Sequence, residues 1–295
     1  MSSDKRAPFG QRGLPWLLVA PQLAVVGVFF FWPAAQAVWQ SLQMQDAFGT
    51  STVFVGLQNF RNLWQDSSYL ASFRSTAVFS LLVAGIGLAL ALLLAVMADG
   101  VTRGARVYRA VLVWPYAVAP AVAGVLWLFL FAPTVGIVSY SLARLGLAWN
   151  PLLSSGDAMT LIVIAAVWKQ LSYNVLFFLA GLQSVPRSLL EAAALDGAGP
   201  WRRFWTIVFP LLAPTSFFLL VINIIYAFFD TFAIVDAATQ GGPGRDTAVL
   251  VYRAYYDGFK GLDLGSSAAQ SVVLMSIVIV LTVLQFRYVE RRIQY

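Results

Sequence analysis

Residues 75–98 read STAVFSLLVAGIGLALALLLAVMA, an unbroken run without Asp, Glu, Lys or Arg. About 20 consecutive apolar residues are what a helix needs to cross the hydrocarbon core of a bilayer. In lipid, only a helix can pair all its backbone groups within one such segment. Similar runs recur along the chain, so the stretch sets the reading of the whole. We expect an all-α polytopic membrane protein with six spans, near residues 14–36, 75–98, 108–131, 158–181, 205–230 and 265–287. A short tail, 1–13, precedes a single membrane domain, 14–295.

Composition agrees with that reading. Of the 295 residues 60% are hydrophobic and only 11% charged, with a mean hydropathy of +0.77, against about 25% charged residues in soluble domains. There is no cysteine and no histidine. Disulfides, thiolate metal sites and the usual zinc ligand or imidazole base are therefore excluded, and no metal or other cofactor is expected. The net charge of +6 does not point to nucleic acid, because the basic residues gather at the ends of the apolar runs.

Their distribution sets the orientation. Twelve fall on one side: Lys5, Arg6, Arg12, Arg103, Arg106, Arg109, Arg187, Arg202, Arg203, Arg287, Arg291 and Arg292. Six fall on the other, over longer loops: Arg61, Arg74, Arg144, Arg245, Arg253 and Lys260. The positive-inside rule then places both termini in the cytoplasm. The first apolar run is too long for the core of a cleaved secretory signal, although Ala35-Gln36-Ala37 has small residues suited to cleavage. Pro21, Pro115 and Pro120 fall inside spans and are expected to kink them, either for packing or as pathway hinges.

Between the fourth and fifth spans lies PRSLLEAAALDGAGPWRRFWTIVFP, residues 186–210. Pro186 suits a first helical turn, Ser188 and Glu191 have the spacing of a capping box, Gly197 is a helix stop and Pro200 can open a second helix. A short exposed helix on the cytoplasmic side is suited to docking on a soluble partner. The pattern resembles the EAA loop of ABC importer permeases. Glu191-Ala192-Ala193 leads through Asp196 to Gly197 and, after nine intervening residues, to Ile207 and Pro210, with Phe209 where the family usually carries Leu. The stretches 114–124, 181–186 and 241–243 resemble the carbohydrate-type branch. Runs at 226–232, 236–239, 261–274 and 285–290 resemble the first of the two permease subunits of sn-glycerol-3-phosphate importers.

The resemblance implies an inner-membrane translocation subunit, not an enzyme, for sn-glycerol 3-phosphate or related glycerophosphodiesters. A neutral sugar or oligosaccharide is the alternative cargo. It implies four kinds of neighbour: a second homologous permease, a dimer of ATP-binding subunits, an extracytoplasmic solute-binding protein and membrane lipid. It also implies that Glu191, Ala192, Ala193, Asp196, Gly197, Ile207 and Pro210 form the ATPase-coupling element. The sequence itself contains no G-x-x-x-x-G-K-[ST] loop, and Gly241-Gly242-Pro243-Gly244-Arg245 reads as a turn.

Charged and polar residues within spans mark candidate pathway positions. Lys169 lies near the midplane of the fourth span, and either meets an anionic cargo or pairs with a carboxylate or a backbone carbonyl. Asn223, Tyr226 and Asp230 share one face of the fifth span, and Gln270 is a further candidate in the sixth. The outer segments 37–74 and 231–266 are expected either to dock the binding protein or merely to connect.

Overall fold

The computed structural model describes residues 14–46, 51–101 and 103–292. The tail 1–13, with Lys5, Arg6 and Arg12, lies outside the described residues, as do the side chains of Arg291 and Arg292. Among the described residues five helices are long and apolar enough to cross a membrane: Pro15–Ser41 (α1), Ser67–Asp99 (α2), Ser155–Gln183 (α4), Pro200–Phe229 (α5) and Leu264–Arg287 (α6). A bent pair, Ala105–Ala117 and Pro120–Leu130 (together α3), passes the same test when its halves are taken as one.

That pair departs from the expected simple kink. Its halves meet at 103° across a break of two residues. Pro115 sits in a 3-10 turn, Trp114–Ala117, and Pro120 starts the second half. Two prolines five residues apart remove two donors, so the α-helical ladder cannot bridge Val118 and Ala119. Pro21, by contrast, is absorbed within Leu14–Val26.

Helix α2 forms the centre of the bundle. Ser72, Thr76, Ser80, Ala84, Gly87, Ala91, Ala95 and Ala98 are all buried along it at spacings of three or four. Such a seam lets helices approach closely, which is how membrane helices associate without a hydrophobic driving force. Helices α4 and α5 pack against it. Ala91, Ala95, Val175, Phe178 and Leu219 form the core at the end bearing the 184–199 loop. Phe79, Val83, Leu161, Ile162 and Tyr226 form the core toward the opposite end.

The outer segments differ from plain connections. The first is shorter than expected, because α1 runs to Ser41 and α2 begins at Ser67. Between them lie a hairpin, β1 (Gln43–Gln45) with β2 (Thr52–Phe54), and a helix, Gln58–Gln65. Asn59 pins the hairpin to the helix by donating to the Ser41 and Gln43 carbonyls at 2.9 and 2.8 Å. The segment after α5 folds back into the protein. Its helix Phe232–Ala238 buries Ile234 and Val235 completely, and Gly124 of α3 lies so close that a Cβ there would come within 2.9 Å of the Ile234 carbonyl. A second helix, Leu250–Tyr255, closes over α2, where Thr76 Oγ1 accepts from the Leu250 amide at 2.8 Å.

Candidate functional site

Lys169 is the central residue of the 29-residue helix α4 and is 9% exposed. Its ammonium donates to the Tyr116 carbonyl at 2.7 Å and lies 4.9 Å from the Tyr116 ring centre. The partner is thus a backbone oxygen at the break in α3. A lysine there satisfies a carbonyl at mid-membrane depth, where an unpaired one is costly. The same ammonium borders a cleft of about 630 Å³, lined also by Tyr116, Pro120, Gln170, Tyr173, Tyr226 and Asp230. The break therefore gives the cleft its irregular backbone wall, and α4 and α5 give it its polar side chains.

Three of the five pathway candidates, Lys169, Tyr226 and Asp230, come together in this cleft. Asn223 does not. One turn deeper in α5 it is fully buried against Asn174, and the two amides exchange hydrogen bonds of 2.9 and 2.7 Å. Gly87 of α2 packs beside them, where a Cβ would lie 3.6 Å from Asn174 Nδ2, at ordinary contact. Gln270 is likewise placed elsewhere. It is fully buried and donates to Asp257 at 2.7 Å, in a network around Arg253 at the end opposite the 184–199 loop. Sequence reasoning missed Tyr116, Gln170, Tyr173 and Asn174. For Gln170, Tyr173 and Asn174 the signal was present, since they flank Lys169 on one helix.

The Asn pair carries a prediction. Replacing Asn223 with Leu strands the Asn174 amide in a dry interior, a loss of about 1–2 kcal/mol. Asn223→Leu should lower the thermal unfolding midpoint, and the double replacement with Asn174→Leu should recover part of it. A double variant less stable than either single would contradict the pairing.

The loop after α4 presents a helix, Arg187–Leu195. The expected capping box is not formed: Pro186 occupies the N-cap with no side-chain bond, which puts Ser188 and Glu191 inside the helix. The C-terminal stop is as expected. Asp196 is the C-cap, and Gly197 has φ +77°. The Gly197 amide donates to Ala194 at 3.1 Å and the Ala198 amide to Ala193 at 2.9 Å, the Schellman pairing. Pro200 begins the next helix with Gly199 as its N-cap. Glu191, Ala192, Asp196 and Gly197 are exposed, as are the apolar Leu195 (90%) and Trp201 (75%). Ile207 and Pro210 lie apart from that helix, in the first turns of α5. Arg203 links the two by donating to the Leu190 carbonyl at 3.4 Å.

The broken helix α3 lines the cleft, and the loop after α4 carries an exposed helix-turn-helix with apolar Leu195 and Trp201. A family model described as binding-protein-dependent transport system inner membrane component matches residues 87–295. The chain belongs to this family of inner membrane components. As such it is a translocation subunit of an ABC importer and not an enzyme. It is 60% identical over 293 residues to the sn-glycerol-3-phosphate transport system permease protein UgpA of Yersinia pseudotuberculosis, covering 99% of this chain and 100% of that one. It is 58% identical over 291 residues to the protein of the same name from Brucella abortus, with 99% of each chain covered. Among solved structures, a chain of a bacterial ABC transporter that imports the acidic polysaccharide alginate superposes with a TM-score of 0.80 at 22% identity, covering 95% of this inner membrane component and 96% of that chain. A chain of the alginate transporter in complex with its pentasaccharide-bound periplasmic protein gives 0.78 at 21%, covering 92% of each. These two likenesses concern the fold.

Proposed function

We propose that the chain forms half of the translocation pathway for sn-glycerol 3-phosphate, working with a second homologous permease, a dimer of ATP-binding subunits and an extracytoplasmic solute-binding protein. Both termini face the cytoplasm in this reading, so the helix Arg187–Leu195 meets the ATPase and the 630 Å³ cleft lies on the route of the cargo. The single observation that carries it is near-complete coverage at 60% identity to relatives named for that substrate, combined with a buried cation on the cleft wall.

The chemistry of the cleft suits the cargo. A phosphate monoester dianion needs a cation in a low-dielectric passage. Lys169 supplies one and is held by a neutral carbonyl, not a carboxylate, so its charge is not cancelled. Tyr116, Gln170, Tyr173 and Tyr226 offer groups of the kind that bind hydroxyls. Asp230 across the cleft keeps the anion from being held too tightly. The helix Arg187–Leu195 would seat in the ATPase dimer and relay its closure to α4 and α5. Glu191 would be the polar contact, with Ala192 and Ala193 allowing close approach.

The test is ATPase stimulation in proteoliposomes holding the complete complex and its binding protein. Glycerol 3-phosphate should stimulate and maltose should not. Lys169→Met should reduce uptake of glycerol 3-phosphate about tenfold or more, with Lys169→Arg less affected, while unstimulated ATPase persists. Stimulation by maltose alone would discard the phosphate reading.

A further inference from the structure

The helix Ala105–Val113 at the start of α3 has three distinct faces. Tyr108 and Leu112 turn inward onto α2 and α4. Val107, Val111 and Trp114 point outward and are 69%, 67% and 62% exposed. Arg103 and Arg106, just before and within the first turn, are also exposed and flank that apolar strip. Neither meets a carboxylate or a carbonyl of the described residues, where the two ion pairs both belong to Arg253. An arginine left unpaired at a membrane edge, above an apolar helix face, is complementary to an anionic headgroup.

The strip continues into a separate feature. Beyond Trp114, at the 103° break, lies an apolar groove of about 640 Å³. Trp114, Trp127 and Trp168 wall it, with Trp168 edge-on to the other two at 6.1 and 5.9 Å. Trp168 neighbours Lys169, so this end of the groove lies beside the middle of α4. From Arg106 to Trp114 the helix rises about 12 Å. One leaflet of hydrocarbon is about 15 Å deep. The groove runs on to Val135 and Ile137, past the end of α3, so an acyl chain laid along the strip from the basic edge enters it at the Trp114 and Trp168 end.

We propose that this face is a binding seat for an anionic phospholipid of the cytoplasmic leaflet, its phosphate held by Arg103 and Arg106 and an acyl chain laid along Val107, Val111 and Trp114 into the tryptophan groove. The choice of leaflet rests on the orientation proposed above; the seat itself does not. A soluble subunit cannot occupy it, because the apolar strip lies at hydrocarbon depth.

The experiment is native mass spectrometry of the assembled complex with added phosphatidylglycerol or phosphatidylcholine, a readout independent of orientation and of cargo. The wild type should retain phosphatidylglycerol in preference to phosphatidylcholine. Arg103→Gln with Arg106→Gln should weaken that retention about 30-fold, from the usual contribution of two surface arginines. Equal retention of the two lipids, or no change in the double variant, overturns the proposal. The chain has no cysteine, so Val111→Cys gives this chain a single labelling site, read on its own band. It should react with a membrane-soluble maleimide in the intact complex. Protection there, with cross-linking to the second permease, would make the face a subunit interface and sink the lipid assignment.

Discussion

Replacing Gly197 with valine should cut ATP-driven uptake at least tenfold while leaving the helix bundle assembled. Gly197 has φ +77°, a conformation costing an L-residue roughly 1–2 kcal/mol and a β-branched one more. A Cβ there would meet nothing within 4 Å, so the penalty is conformational and not steric crowding. The chain can relieve it only by unwinding the last turn of Arg187–Leu195. That breaks the bond from the Ala198 amide to Ala193 and displaces the surface carrying Glu191. The helix has no side-chain cap at its other end, so little else holds its length. Gly197→Asn, which tolerates the left-handed region, should retain most activity. Uptake and binding-protein-stimulated ATPase measured on purified complexes decide the matter. Wild-type coupling in the valine variant would remove Gly197 from the coupling element.

The second large effect is expected at Arg253. The residue is 8% exposed, and its guanidinium donates to Asp66 at 2.6 Å, to Ser68 at 2.6 Å and to Asp257 at 3.3 Å. Gln270 completes the group through Asp257. One side chain therefore ties the first turn of α2 to the helix Leu250–Tyr255 and the head of α6. Arg253→Met leaves two carboxylates facing each other without a cation. Breaking a buried pair in this way costs about 3–5 kcal/mol, and the partial exposure of Asp66 reduces that to about 2 kcal/mol. The unfolding midpoint of the purified protein should fall by several degrees; an unchanged midpoint would refute the clamp. Acid should loosen it too. Burial pushes the Asp66 carboxyl up, but the Ser68 amide and Arg253 outweigh it and hold the group below the usual carboxylate range. A group lowered on folding stabilises at pH above its unfolded value, and that contribution is lost as pH falls through the folded one. The difference between wild type and Arg253→Met should therefore persist at neutral pH and shrink below about pH 4.

The membrane-spanning segments were legible in the sequence because lipid permits so few solutions. A run such as 75–98 has one stable conformation in hydrocarbon. The turn at Gly197 was legible for a similar reason, since glycine, proline and spacing act locally. Features built from distant partners were not. Arg253 and Asp66 are 187 residues apart, and nothing around either announces the other. The partner of Lys169 is a backbone carbonyl, which no side-chain pattern records. Two prolines signalled a kink in α3, but local sequence does not specify 103°. The segment after α5 reads in the sequence only as a long stretch that either docks the binding protein or merely connects. Its short apolar run at Ile234 and Val235 has meaning only against Gly124 and α2.

That folded-back segment has a bearing on how the molecule is made. The core at the end opposite the 184–199 loop stays incomplete until the ribosome has released Ile234, Val249 and Tyr252, because these late residues finish a cluster begun at Phe79. The Leu250 amide reaches Thr76 across 174 residues, and such distant closures come last because the loop entropy falls due before the contact forms. A nascent chain halted after the fifth crossing would hold its helices in the bilayer yet leave the small-residue seam of α2 uncovered at its outer end. A chain truncated there therefore lacks the contacts that complete this end of the bundle, so its assembly waits on the C-terminal third.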